Sequence, residues 1–240
     1  MCGRYTSTST VDDLAAAHEV EEVRTEPLPL RYNVAPSQAV YAVALRRSGH
    51  RALGSFKWGL VPSWAKDPKI GNRMINARGE TAASKPAFSA ALARRRCLIP
   101  ADGFYEWQRR NRPDGRPAGR LPFAIRRVDG VPMAFAGLWE VWRDPDDPER
   151  PLLRTCAIVT TAANDLMAPI HDRMPVVLAP EDWSAWLDPA AELSMIEGLL
   201  VPAPADRFEA YPVSSLVNNV NNEGPELLDP LPPPPGSIFV

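Results

Sequence analysis

Arg96-Cys97-Leu98-Ile99-Pro100, then Ala101-Asp102, then Gly103-Phe104-Tyr105-Glu106-Trp107-Gln108, is the stretch whose reading decides the fold. Residues 97–100 and 103–108 are two short apolar or aromatic runs separated by a turn-forming Asp and Gly, which predicts two consecutive strands. Working outward, comparable runs lie at 122–127, 132–140 and 153–161 downstream and at 39–46 and 53–59 upstream. Helical signals are fewer. Ser9-Thr10-Val11-Asp12-Asp13 before Leu14-Ala15-Ala16-Ala17 reads as a capped short helix with acids in its first turn. Residues 79–95 read as helix interrupted at Pro86, and two more helices are expected near 181–187 and 190–199. Strands that outnumber scattered helices predict an α+β fold: a single domain with a mostly antiparallel, barrel-like β-sheet core and short flanking helices.

Two segments read as excursions from that core. Residues 109–120 (RRNRPDGRPAGR) are basic and rich in Pro and Gly, which predicts a mobile hairpin loop, and residues 144–151 (DPDDPERP) form an acidic, turn-rich loop. The domain is expected over 1–222, with 223–240 a Pro-rich C-terminal arm whose PLPPPP run favours an extended conformation. No internal repeat is visible.

Bulk composition excludes several classes. The 240 residues (26.4 kDa) suffice for one sizeable core. Net charge is −2 with a pI near 6.0, so nothing global announces a nucleic-acid partner. Only Lys57, Lys66, Lys69 and Lys85 are lysines, so arginine dominates the 27 cations, and arginine grips phosphate bidentately. The start MCGRYTSTST lacks a basic and an apolar stretch, so no secretory signal is expected, and no window reaches the roughly 18 apolar residues of a membrane span. Three cysteines cannot all pair. A cytoplasmic location follows as the expectation, with Cys97 and Cys156 as buried, inert side chains. Three histidines without a His/Cys cluster argue against a metal site.

Cys2 carries the chemistry. A small second residue permits removal of Met1, which leaves a thiol and a free α-amine on one residue. An amine condenses with an aldehyde, and the neighbouring thiol can close a five-membered thiazolidine. An α-amine of pKa about 7.7–8.0 is roughly 10% neutral at pH 7, against about 0.04% for a lysine near 10.4, so this nucleophile needs little tuning. Met-Cys-Gly also opens glutamine amidotransferases whose thiol attacks an amide. The start alone therefore leaves aldehyde capture and amide hydrolysis both open.

Seven segments then occur in order: Cys2-Gly3-Arg4-Tyr5, Arg31-Tyr32-Asn33-Val34-Ala35-Pro36, Lys57-Trp58-Gly59-Leu60-Val61-Pro62-Ser63-Trp64, Asn76-Ala77-Arg78-Gly79-Glu80-Thr81, Arg96-Cys97-Leu98-Ile99-Pro100, Gly103-Phe104-Tyr105-Glu106-Trp107 and His171-Asp172-Arg173-Met174-Pro175-Val176. The series resembles the SOS response-associated peptidase (SRAP) family over residues 2 to roughly 220. The resemblance implies the SRAP fold, a thiazolidine crosslink to the aldehyde of an abasic site in single-stranded DNA, and an autopeptidase step that exposes the cysteine. It implies no cofactor and no membrane or metal partner; a monomer is the default.

The resemblance and the residue chemistry together nominate Cys2, Asn33, Glu106 and His171 as the catalytic set. Glu106 lies among apolar neighbours, and a desolvated carboxyl can both give and take a proton, as opening of an abasic sugar requires. The bland alternative is a salt-bridged strand carboxylate. His171 sits between Pro169 and Pro175, placed for acid–base work or a phosphate contact; the alternative is a hydrogen-bonded core histidine with Asp172 pairing Arg173. Asn33 offers amide donors and an acceptor; the alternative is a turn residue before Pro36. For DNA, Gly3, Arg4, Asn76 and Arg78 are the expected backbone contacts, Trp64 and Trp107 the stacking residues, and Pro36 and Met74 their apolar neighbours. Trp58, Trp139 and Trp142 read as core, His18 and His50 as surface, and Arg94-Arg95-Arg96 as a solvated helix end. Two other readings compete: an N-terminal-nucleophile amidase or cysteine peptidase, and a non-catalytic reader of damaged single strands.

Overall fold

The stretch quoted first forms two neighbouring strands that lie in different sheets. In the computed structural model, which describes residues 2–112 and 115–232, the chain runs β1 (Arg4–Ser7), α1 (Val11–Ala17), β2 (Glu22–Val23), β3 (Arg31–Val34), β4 (Ala39–Leu45), β5 (Arg51–Trp58), β6 (Asn76–Arg78), α2 (Gly79–Ala82), α3 (Ser89–Arg94) and β7 (Arg96–Ala101). It continues through β8 (Gly103–Asn111), β9 (Pro117–Arg127), β10 (Met133–Trp142), β11 (Leu153–Ala162), β12 (Arg173–Pro175), β13 (Val177–Leu178), α4 (Trp183–Leu187), α5 (Leu193–Gly198) and β14 (Phe208–Pro212).

The strands β5, β4, β7, β10 and β11 are neighbours in that order through antiparallel pairs. A parallel contact between β11 and β5 (Thr155↔Lys57, Cys156↔Trp58) closes them into a five-stranded barrel. Closure depends on Gly59 just past β5. Its φ of +126° is available only to glycine, its N–H donates to Cys156 O (2.8 Å), and a Cβ there would stand 2.6 Å from Gly71 O. The second sheet, β14-β9-β8-β1-β3, is antiparallel throughout and carries β1 and β8 side by side. The α+β, barrel-centred architecture expected from the run pattern is the one observed.

Alternation along the barrel strands divides the core in two. Tyr41, Val43, Leu53, Leu98, Leu138 and Val159 pack against Leu14, Leu92, Trp186 and Ile196 of the helices. Val40, Phe56, Trp58, Ile99, Phe135 and Ile158 pack against Tyr5, Phe104 and Ile125 of the second sheet. Edge-to-face pairs Tyr5–Trp58 (5.3 Å), Tyr5–Phe135 (6.1 Å) and Phe104–Phe135 (6.0 Å) lock the sheet onto the barrel. Each such pair is worth about 0.5–1.5 kcal/mol beyond the area it buries.

Three local expectations are corrected. Residues 109–120 are mostly strand: Arg109 pairs with Arg120 and Arg110 with Gly119, so ladder bonding extends the hairpin far beyond its apolar part. Residues 113 and 114 of that segment lie outside the described residues. His18 is 0% exposed rather than a surface residue, because α1 ends against α4 and the ring stacks on Trp183 (5.1 Å, 13°). Its Nδ1 lies 3.0 Å from Leu14 O, and burial lowers its pKa. The triple arginine is no uniform solvated end. Arg94 is exposed and Arg95 pairs with Glu140 at 2.7 Å. Arg96, 2% exposed, donates to Leu92 O and Ala93 O at the end of α3 and to Trp186 O and Asp188 O at the end of α4. One buried guanidinium thus satisfies carbonyls that two helices leave without partners.

Of the expected C-terminal arm, the first residues pack on the domain. Glu223 accepts from Tyr32 N–H (3.0 Å), Val213 bridges to Pro230, and Leu231 N–H donates to Pro212 O (2.8 Å). Residues 233–240 of that arm lie outside the described residues.

Candidate active site

Cys2 stands just ahead of β1, 0% exposed, in the cluster that joins the sheet to the barrel. Its Sγ lies 3.9 Å from Arg4 O. Burial, followed by the negative charge of Glu106, pushes the thiol far above its ordinary range. Glu106 is 2% exposed on β8, one residue past Tyr105, which pairs with Arg4, and opposite Phe123 on β9. The strand register therefore brings acid and thiol together, and apolar neighbours keep water away.

Asn76 is the amide that touches Cys2: its Nδ2 donates to Cys2 O at 2.8 Å. It opens β6, which pairs in parallel with β11 (Ile158↔Asn76), so the barrel itself sets its position. Among the described residues its Oδ1 is buried without a hydrogen-bond partner. An acceptor left unpaired beside a nucleophile costs free energy that a bound donor recovers.

Asn33 is held elsewhere. Fully buried on β3, it accepts from Arg4 Nη1 (2.7 Å) and donates to Val217 O (3.3 Å), Asn219 O (3.0 Å) and Asn222 O (3.0 Å). Arg4 also donates to Val217 O (2.8 Å) and Asn218 O (3.2 Å), and its guanidinium lies 6.0 Å from the centre of the Trp107 ring. Trp107 Nε1 donates to Asn218 Oδ1 at 2.6 Å. Arg4, Asn33 and Trp107 thus converge on the loop 215–222, which sequence reasoning left without a role. Its asparagine run, Val217-Asn218-Asn219-Val220-Asn221-Asn222, was the available signal.

His171 is partly buried ahead of β12. Its Nδ1 accepts from Arg173 N–H (3.0 Å) and lies 2.9 Å from Asp172 Oδ1. Gln108 Nε2 donates to Pro169 O (3.1 Å), which ties this segment to β8 two residues past Glu106. Arg173 pairs with Glu80 (2.5 and 2.9 Å) rather than with Asp172.

The other nominated residues sit on neighbouring loops. Gly3 is half-buried between Cys2 and Arg4. Pro36 lies in the β3–β4 turn, which Ser37 Oγ ties to Asn72 Oδ1 (3.0 Å), two residues before Met74. Met74 packs partly into the helical half of the core, while Arg78 is exposed at the start of α2. Trp64 is 59% exposed, beside a small cluster of Val61, Ala65 and Trp142. Asn76 is bonded to Cys2 and Glu106 acts on its thiol through its charge, Arg4, Asn33 and Trp107 form a second knot, and Trp64 and Arg78 offer free surface.

Comparison with known proteins bears on the family and the fold. The chain is 45% identical over 231 residues to abasic site processing protein YoqW of Bacillus subtilis, covering 95% of this chain and 99% of that one. It is 35% identical over 239 residues to abasic site processing protein YedK of Escherichia coli, covering 96% and 100%. A crystal structure of a Bacteroides thetaiotaomicron protein superposes with a TM-score of 0.83 over 96% of this chain and 100% of that one, at 23% identity, a likeness of fold. The model of the SOS response associated peptidase (SRAP) family matches residues 1–220. With match, relatives and fold in agreement, the chain belongs to the SRAP family.

Proposed function

We propose that the chain processes abasic sites in single-stranded DNA, coupling Cys2 to the sugar aldehyde as a thiazolidine once Met1 is gone. The observation that supports this most is the state of the Cys2 thiol. Burial and the Glu106 charge both disfavour the thiolate. A cysteine hydrolase works through its thiolate and lowers that pKa, so amide hydrolysis fits poorly. An amine-first reaction needs no thiolate.

In this reading the freed α-amine of Cys2 attacks the aldehyde carbon of the open-chain sugar. The resulting hydroxyl takes from Glu106 the proton that this carboxylate removed from the α-ammonium, and leaves as water, giving the protonated imine. The neutral thiol then adds to the imine carbon: sulfur bonds to carbon, the thiol proton passes to Glu106, and the ring nitrogen ends as a neutral amine. One water is lost overall. Asn76 holds the Cys2 carbonyl and offers its free Oδ1 to a sugar hydroxyl. His171 serves as a proton or phosphate partner at the rim, Trp64 and Trp107 stack on bases, and Arg78, Gly3, Pro36 and Met74 line the strand's path. Arg4 and Asn33 act through the loop they hold. The protein works as a monomer on DNA in the cytoplasm.

The test is intact-mass spectrometry with a single-stranded oligonucleotide bearing one abasic site. The expected product has the mass of protein without Met1 plus oligonucleotide minus one water, and it survives heating. Cys2→Ala yields no heat-stable adduct. A heat-stable product from Cys2→Ala, or from molecules that retain Met1, refutes the mechanism.

A further inference from the structure

The ends of β5 and β11 frame a shallow depression of about 380 Å³ lined by Ser37, Ser55, Phe56, Lys57, Leu152 and Arg154, among others. Two cations and two hydroxyls line it and no carboxylate does, on a chain whose net charge is −2. Neither Lys57 nor Arg154 forms an ion pair among the described residues. Most of the other arginines around the site are already spent on protein partners: Arg4 on the 215–222 loop, Arg173 on Glu80 and Arg31 on Glu223.

The rim is strained as well as basic. Ser37 holds φ +73°, a conformation that costs a non-glycine residue of order 1–3 kcal/mol and tends to persist where a ligand is held. Continuity with the cysteine runs through bonded contacts. Ser37 N–H donates to Trp58 O (2.8 Å), Trp58 Nε1 donates to Ile75 O (2.8 Å), and the next residue, Asn76, holds Cys2. Pro36, on the path proposed for the strand, directly precedes Ser37.

The geometry points to a second anchoring site here: Lys57 and Arg154, with the Ser37 and Ser55 hydroxyls, bind backbone phosphates of the same DNA strand beyond its abasic nucleotide. This rests on the function proposed above. Exposed Leu152 gives the sugars an apolar floor, and nothing here reads a base, so the anchor is indifferent to sequence.

Noncovalent binding tests it, using a single strand that carries a tetrahydrofuran abasic analogue, which has no aldehyde and cannot couple. Each single-strand phosphate contact contributes about 0.7 to the slope of log affinity against log salt. Lys57→Ala and Arg154→Ala should each lower the slope by about that amount, and the double variant by about 1.4. Lys57→Arg should restore it, and circular dichroism should show unchanged folding in every variant. Shortening the oligonucleotide on one side of the analogue should reproduce the loss in the wild type and have no further effect in the double variant. If the wild type binds with a steep salt slope and the folded double variant keeps it, the anchor is refuted while the proposed function stands. If the wild type binds no single strand, both fall. Inorganic phosphate that displaces the strand well below the ionic strength at which chloride does so identifies a free-phosphate site and refutes the strand assignment.

Discussion

Replacing Asn33 by alanine removes four hydrogen bonds from one fully buried side chain: one accepted from the Arg4 guanidinium and three donated to loop carbonyls. A net bond is worth about 1 kcal/mol between neutral groups and about 1.5–3 kcal/mol when one partner is charged. The 3.3 Å contact with Val217 O is weak, and Arg4 still donates to that carbonyl, so it is discounted. The sum is about 3.5–5 kcal/mol, a large part of an ordinary domain stability of about 5–15 kcal/mol. For a chain of this size that lowers the melting temperature by roughly 7–20 °C, at about 2–4 °C per kcal/mol. Asn33→Asp should fare no better: it keeps the acceptor for Arg4 but turns a carboxylate on three carbonyl oxygens. The assay is urea unfolding followed by tryptophan fluorescence, together with adduct formation at saturating abasic strand. Trp107 loses its fixed partner when the loop lifts, so its emission should shift before global unfolding. A loss under 1 kcal/mol in Asn33→Ala, or full stability in Asn33→Asp, refutes the view that this amide fastens the loop.

The pH profile of coupling should show a single rise near the α-amine pKa of about 7.7–8.0, with no second limb near 8.5–9, because burial raises the thiol out of that range; a thiolate limb would sink the amine-first order. His18 has a folded-state pKa below its unfolded value of 6.5, so the unfolded chain binds the proton first and stability falls as pH drops through 6.5. Urea midpoints at pH 7.5 and 5.5 should diverge in the wild type and converge in His18→Phe; equal divergence in the two proteins counts against this. Gly59→Ala places a methyl 2.6 Å from Gly71 O at φ +126° and should cost several kcal/mol by calorimetry, as clash and strain add; a loss below 1 kcal/mol removes Gly59 from the barrel seam.

Strand runs were legible because alternation and aromatic content mark a half-buried pleat whatever its partner. The same signal made Trp58 and Cys156 recognisable as core. Barrel closure was not legible, since it rests on two parallel pairs between β5 and β11 that only the folded chain brings together. Among site residues, Cys2 and Glu106 stood out by chemistry, and the strand register accounts for their meeting. Asn76 was seen as a DNA contact, yet it holds Cys2, while Asn33, assigned to the cysteine, holds a loop. Amide side chains carry no charge pattern that tells such uses apart. Basic residues 109–120 read as loop because composition hides ladder bonding. His18 and Arg96 misled for a shared reason: a polar side chain at a helix end is solvated or buried according to what packs over that end, and α4 packs over both.

The bond from Arg4 to Val217 spans 213 positions of the chain, and that span sets a schedule. At about 5–20 residues per second of synthesis, roughly ten to forty seconds separate the first appearance of Arg4 from that of its partner. Throughout that interval the amino terminus lacks its finished seat and lies open to any enzyme trimming nascent chains. Under the function proposed above, loss of Met1 falls before burial of the thiol, and a protein whose start was trimmed late would face a residue already packed away.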